Sequence, residues 1–208
     1  MNLHGTPPGP PNPHDYPNLW PEDSLEHIVA NGFAIGMIQA DQEVLDFASM
    51  IRDVIKPQVI VELGTLCGGM MYVMDRMSPP GLRISVDMPW EQRDPTPRWP
   101  PDMLRREIPG MVWVEGNIHT RGTWQRVVEV LNGSEIDLLY VDADHSYSGV
   151  AGHWAMYSHL VRSGGYVAFH DVRNGWPCGN FYDELCKQYQ HTEFFTPEIG
   201  FGIGVIRV

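Results

Sequence analysis

Apolar residues cluster along this chain in short, near-continuous runs separated by longer stretches of mixed character. The runs from Val59 to Leu63, Arg83 to Val86, Met111 to Val114, Ile136 to Val141 and Tyr166 to Phe169 have strand length. Stretches of helical pattern lie between them. One runs from about Gly68 to Met77 and stops at Ser78-Pro79-Pro80-Gly81. Another runs from Thr123 to Leu131 and closes at Asn132-Gly133, and a third spans Tyr147 to Arg162 and ends at Ser163-Gly164-Gly165. Ahead of the first strand, Ser24 to Ile55 reads as helical with a break near Asn31-Gly32, and Lys56-Pro57 ends it. After the fifth strand, Phe181 to Tyr189 reads as a helix, and Glu193 to Phe195 and Gly202 to Val208 as closing strands.

Near-continuous apolar strands alternating with helices predict a parallel sheet buried on both faces. The last two strands have no helix between them, so they should pair as an antiparallel hairpin at one edge. The expected fold is an α/β three-layer sandwich with a seven-stranded, mostly parallel sheet. Residues 1–21 are rich in Pro, Gly and Asn and read as an extended arm, floppy or ordered only against the body or another subunit. Residues 22–208 then form one domain. The Pro-rich stretch from Met88 to Pro101, with Trp90 and Trp99, reads as a long loop, a form common in lids and binding walls.

Composition narrows the function. With 208 residues, 43% of them hydrophobic, the chain can bury a sizeable core. A net charge of -12 argues against nucleic acid or an anionic membrane surface as partner. No apolar run is long enough to span a bilayer, and the first residues lack the basic-then-apolar order of a secretory signal. Cys67, Cys178 and Cys186 are odd in number and form no CxxC pair, which disfavours a disulfide framework or cysteine zinc site. A cytoplasmic location fits best. Homo-oligomerisation stays open.

Candidate chemistry lies where the strands end. Val59 to Leu63 runs into Gly64-Thr65-Leu66-Cys67-Gly68-Gly69, a turn whose glycines let the backbone approach a ligand closely. Glu62 can bind an amine or a sugar hydroxyl. Asp87 ends the second strand, where an acid would take ribose hydroxyls, with a turn residue before Pro89 as the alternative. The fourth strand ends in Asp142-Ala143-Asp144-His145-Ser146-Tyr147 and the fifth in His170-Asp171. In an open α/β sheet the ligand sits at the carboxyl ends of the strands, so these groups are expected to meet. Asp and His at strand ends also cap helices, which is the plain alternative for each.

From Val59 to Val208 the chain resembles the class I S-adenosylmethionine (SAM)-dependent methyltransferases, Rossmann-like enzymes. Within them it is similar to the metal-dependent group of macrolide-sugar O-methyltransferases and cephalosporin-hydroxylase-like proteins. The resemblance rests on Glu62-x-Gly64-Thr65-x-x-Gly68-Gly69, on Asp142-x-Asp144-His145-Ser146-Tyr147, and on Gly164-Gly165 followed by Phe169-His170-Asp171. It implies SAM as cofactor, with Glu62, Gly64, Thr65, Gly68, Asp87, Asn117 and Asp142 around it. Met70 stands where relatives often carry a small polar residue. It also implies a divalent metal, Mg²⁺ or Mn²⁺, on Asp142, His170 and Asp171, with the imidazole favouring Mn²⁺ or another transition metal. His145 corresponds to the general base. Asp144 would either orient His145 or cap the helix that follows. Tyr147, Trp176 and the Trp90–Trp99 loop are candidate walls for a small-molecule hydroxyl acceptor, with core packing the alternative for each. His119, His153 and His159 are expected in ordinary packing or surface roles. Two other readings are a nucleotide-dependent oxidoreductase and a non-catalytic partner in a biosynthetic complex.

Overall fold

The computed structural model describes residues 19–89 and 101–208, so most of the Pro-rich arm and the Trp90–Trp99 loop lie outside the described residues. In chain order the elements are α1 (Leu25–Ile35), α2 (Asp41–Met50), a π turn (Ile51–Ile55), β1 (Val59–Leu63), α3 (Gly69–Arg76), β2 (Leu82–Asp87), α4 (Pro101–Glu107) and β3 (Val112–Glu115). There follow α5 (Arg121–Leu131), β4 (Ile136–Val141), α6 (Tyr147–Tyr157), a 3₁₀ turn (Ser158–Leu160), β5 (Val161–Phe169), α7 (Cys178–Cys186), β6 (Gln190–Phe194) and β7 (Ile203–Arg207).

Among the described residues the sheet has seven strands in the order β3-β2-β1-β4-β5-β7-β6. The first five are parallel, and β7 runs antiparallel between β5 and β6. The expected antiparallel hairpin is therefore present, with β6 on the edge and β7 inserted beside β5. Strand alternation supplies both cores. Ile60, Leu138, Tyr140, Ala168 and Val205 face one layer with α1, α2 and α3. Val61, Leu139, Val141, Phe169 and Ile206 face the other with α5, α6 and α7. The chain order reverses direction between β1 and β4, the crevice where open α/β sheets bind ligands.

Several boundaries differ from the sequence reading, among them β6, which spans Gln190–Phe194 where Glu193 to Phe195 was expected. The helix α1 runs through Asn31-Gly32 and ends at Gly36, which takes a left-handed φ of 114°. Asn31 is fully buried, and its amide donates to the Tyr72 hydroxyl and the Trp20 carbonyl. Gly32 instead permits close helix packing, since a Cβ there would stand 2.7 Å from Val73 Cγ2. At the other site, α6 stops at Tyr157 and β5 already begins at Val161. Gly164, with φ of 75°, lies in a bulge where the pairing slips between Ile136–Val161 and Leu138–Tyr166. The glycines that read as a helix end thus form a bulge within β5. The last helix, α7, begins at Cys178 and not at Phe181. Among the described residues no helix is long and apolar enough to cross a membrane.

Candidate active site

The β1–α3 turn is built on positive φ angles, 90° at Gly64, 53° at Leu66 and 89° at Gly68. Only glycine fits at Gly64, where a Cβ would stand 2.3 Å from the Asp142 carbonyl oxygen. That contact presses the turn against the end of β4, and the Asp142 amide also donates to the Leu63 carbonyl at 2.8 Å. Asp87 closes the turn from β2. Its Oδ2 accepts from the Leu66 amide at 2.7 Å and its Oδ1 from the Met88 amide at 2.6 Å. Glu62 is 1% exposed at the end of β1. Burial pushes its carboxyl up to about 8, against the pull of the Thr65 hydroxyl beside it. An ammonium placed against Glu62 would bring it back to the ionised form. The structure therefore gathers Glu62, Gly64, Thr65, Gly68 and Asp87 around one turn. Asn117 stands on the exposed loop after β3, where its Oδ1 accepts from the His119 amide at 2.9 Å.

Beside that turn is a cluster of two carboxylates and two imidazoles. His170 Nδ1 lies 3.0 Å from Asp142 Oδ1 and 3.4 Å from Asp171 Oδ2. His145 Nδ1 lies 2.8 Å from Asp171 Oδ2, and its Nε2 lies 3.5 Å from Asp142 Oδ1. Asp171 adopts φ of 59°, a left-handed backbone that Asp tolerates better than most side chains. Neither carboxylate caps a helix here; both face the histidines.

The charges hold one another. Hydrogen bonds to Asp142 and Asp171 push His145 up to about 9. Burial opposes a charge on His170, but Asp142 and Asp171 outweigh it and raise the imidazole to about 10. Burial would raise both carboxyls; the two imidazoles win and hold Asp171 and Asp142 below the usual carboxylate range.

The donor set suits a divalent cation. One ligand atom each from Asp142, His170 and Asp171 all lie within 4.8 Å of one another. Two carboxylates this close need positive charge between them, and the mix of oxygen with an imidazole nitrogen fits Mn²⁺ better than Mg²⁺.

Other residues separate clearly. Asp144 accepts from the Ser146 amide at 2.9 Å and faces His119 Nε2 at 3.4 Å, so it braces the start of α6 and does not orient His145. The Trp176 ring meets His145 edge-on at 5.1 Å and is 41% exposed, as a wall would be. Tyr147 turns away to Glu184 and Phe181 on α7. His153 is buried and stacks on His119 at 4.5 Å, while His159 lies near Trp124. Met70 is buried in the core beneath the turn.

The sequence reading missed Gln39 and Tyr140. The Gln39 amide donates to the Tyr140 hydroxyl at 2.7 Å and to Asp142 Oδ2 at 3.3 Å. Tyr140 was within reach of inference, since it precedes Asp142 by two residues and so shares its face of the sheet. Gln39 sits in the loop between α1 and α2 and carries no local signal.

Comparison with known proteins identifies the family and the fold. The model of a family described as a methyltransferase domain matches residues 61–172, over half of the chain. The chain belongs to that family. Its structure is similar to that of an O-methyltransferase from Bacillus cereus in complex with SAH, with TM-score 0.60, 16% identity, and coverage of 91% of this chain and 93% of the other. It is also similar to the O-methyltransferase TomG from Streptomyces achromogenes, involved in tomaymycin synthesis and in complex with SAM. There the TM-score is 0.60, the identity 15%, and the coverage 91% of each chain. At these identities the likeness is one of fold. No curated protein sequence matches the chain.

Proposed function

We propose that this chain transfers a methyl group from SAM to a hydroxyl of a small molecule, assisted by a divalent metal. The observation that carries the reading is the contact between the two half-sites. Gly64 of the glycine turn touches Asp142 of the carboxylate–imidazole cluster, so a cofactor on the turn and an acceptor on the cluster would be neighbours. Both solved relatives named above are O-methyltransferases with SAM or SAH bound, which supports the choice of cofactor and of oxygen as acceptor.

In this reading Glu62 holds the cofactor's ammonium and the turn amides its carboxylate. Asp87 accepts from the ribose hydroxyls. Asn117 lies beside the adenine, its carbonyl side already used in its own turn. Asp142, His170 and Asp171 would hold the metal, which supplies a lowered pKa to a hydroxyl bound there. Trp176 walls the acceptor and keeps water from the His145 ring. The high pKa of His145 comes from Asp142 and Asp171. A cation held by those carboxylates would lower it into the range of a base. His145 then takes the hydroxyl proton at Nε2, while Nδ1–H stays on Asp171. Attack of the oxygen on the sulfonium methyl needs no covalent enzyme intermediate, and positioning supplies most of the rate.

Calorimetry with SAM, then turnover with a panel of catechols, sugars and polyketide alcohols, tests this. SAM should raise the Tm. A chelator should abolish turnover but spare SAM binding, and Mn²⁺ should restore it. His145→Ala should keep both ligands and slow turnover roughly a hundredfold. Full turnover in excess chelator would leave a metal-independent methyltransferase with His145 as base alone. Stabilisation by NADH and not by SAM would sink the reading in favour of an oxidoreductase.

A further inference from the structure

The two oxygens of Asp142 are used differently. Oδ1 faces His170 Nδ1 and His145 Nε2, inside the cluster. Oδ2 points the other way and takes the Gln39 amide at 3.3 Å. The same amide donates to the Tyr140 hydroxyl at 2.7 Å. Tyr140 is wholly buried in the sheet, so the link runs from the core, through Gln39, to the carboxylate. The amide is oriented as a donor because an ionised carboxylate can only accept. Reversing it would set Gln39 Oε1 against Asp142. In its present place Oε1 is buried and makes no hydrogen bond among the described residues.

Gln39 is itself held firmly. It lies two residues before α2, and on that helix Glu43, four residues on, is 1% exposed. The Glu43 carboxylate accepts from the amides of Thr196 at 2.8 Å, Phe201 at 3.3 Å and Gly202 at 3.1 Å. Those amides belong to the β6–β7 loop, whose Phe201 ring lies 5.9 Å from His170. The loop entering α2 thus touches Asp142 through Gln39, and α2 itself fastens the loop beside His170 through Glu43.

We infer that Gln39 is a positioning residue that fixes the rotation of the Asp142 carboxylate, so that Oδ1 stays turned toward His170 and Asp171 as a ready cation ligand. Such outer partners of a ligating carboxylate typically govern roughly ten- to hundredfold of metal affinity when removed. The inference rests on the proposed metal site and adds a residue from outside the strand ends to it.

The test is Mn²⁺ binding to the full chain without SAM or acceptor, followed by calorimetry and by electron paramagnetic resonance of the free ion. Gln39→Leu removes the donor while keeping the side chain's size. It should weaken Mn²⁺ binding roughly tenfold and leave the SAM affinity unchanged. Tyr140→Phe removes only the anchor and should weaken Mn²⁺ binding less, roughly threefold, below the range for a direct outer partner of a ligand. Because both act through one link, the double variant should bind Mn²⁺ no more weakly than Gln39→Leu alone. A wild-type chain that binds Mn²⁺ and a Gln39→Leu variant that binds it equally well would overturn the role of Gln39 and leave the metal site standing. Additive losses in the double variant would overturn the link through Tyr140. A wild-type chain that binds no Mn²⁺ would remove the metal site and this inference together.

Discussion

Replacing His153 with Phe should convert an acid-sensitive fold into a less sensitive one. His153 is 0% exposed on α6, and neither ring nitrogen has a hydrogen-bond partner among the described residues. Burial, and after it the stacked His119, lower its pKa from 6.5 to about 4, with Asp144 opposing. In the unfolded chain the imidazole takes a proton near pH 6.5. In the folded protein it resists until about pH 4. Between those values the unfolded state binds more protons, so stability is complete above about pH 6.5 and falls as the pH drops. The loss is about 1.4 kcal/mol per pH unit, reaching about 3 kcal/mol near pH 4. Phe keeps the ring against His119 and cannot be protonated. Its greater bulk could add a cost of about 1–3 kcal/mol, but that cost would not vary with pH. Urea unfolding of both proteins at several values from about pH 7.5 to about pH 4.5 measures the difference. The gap in favour of His153→Phe should widen steadily below about pH 6.5. A gap that stays constant over that range would refute the assignment of His153 as a buried, neutral group.

Two substitutions probe the glycine turn. Glu62→Gln should weaken SAM binding roughly tenfold or more, the order expected for losing a charge-assisted bond. The wild-type affinity should rise with pH up to about 8, because binding an ammonium requires Glu62 to lose its proton, and the variant should lack that rise; equal pH profiles by calorimetry would contradict the role. Gly64→Ala should cost about 3 kcal/mol or more, through a positive φ and a collision with the Asp142 carbonyl, and a thermal melt matching wild type would show that the turn can shift aside.

The strand cores were legible because burial on both faces forces continuous apolar runs, and Val59–Leu63 and Ile136–Val141 stand where the pattern set them. Strand-end chemistry was legible for the same reason. Once the strands are parallel and adjacent, the residues after β1, β4 and β5 must meet, and Asp142, His145, His170 and Asp171 do. Glycine was ambiguous. The same residue type ends α1 at Gly36, allows α1 to approach α3 at Gly32, and forms a bulge at Gly164. Local sequence does not separate these uses, since each depends on what lies across the contact.

Gln39 and Glu43 were illegible for a deeper reason. Both act at a distance in sequence, Gln39 on Asp142 and Glu43 on Thr196 to Gly202. Nothing near them in the chain signals a partner, and an isolated Gln or Glu on a helical pattern reads as solvated surface. Burial reverses that reading. A carboxylate 1% exposed would be costly without donors, and three backbone amides supply them. The strand ends bring the ligating groups to one place, but a carboxylate on a strand end can still rotate about its side-chain bonds. In the proposed reading that rotation is limited for Asp142 by the amide of Gln39, from the loop that joins α1 to α2. The parallel sheet can therefore specify which residues meet, while the geometry in which they meet is set by the helices laid against it.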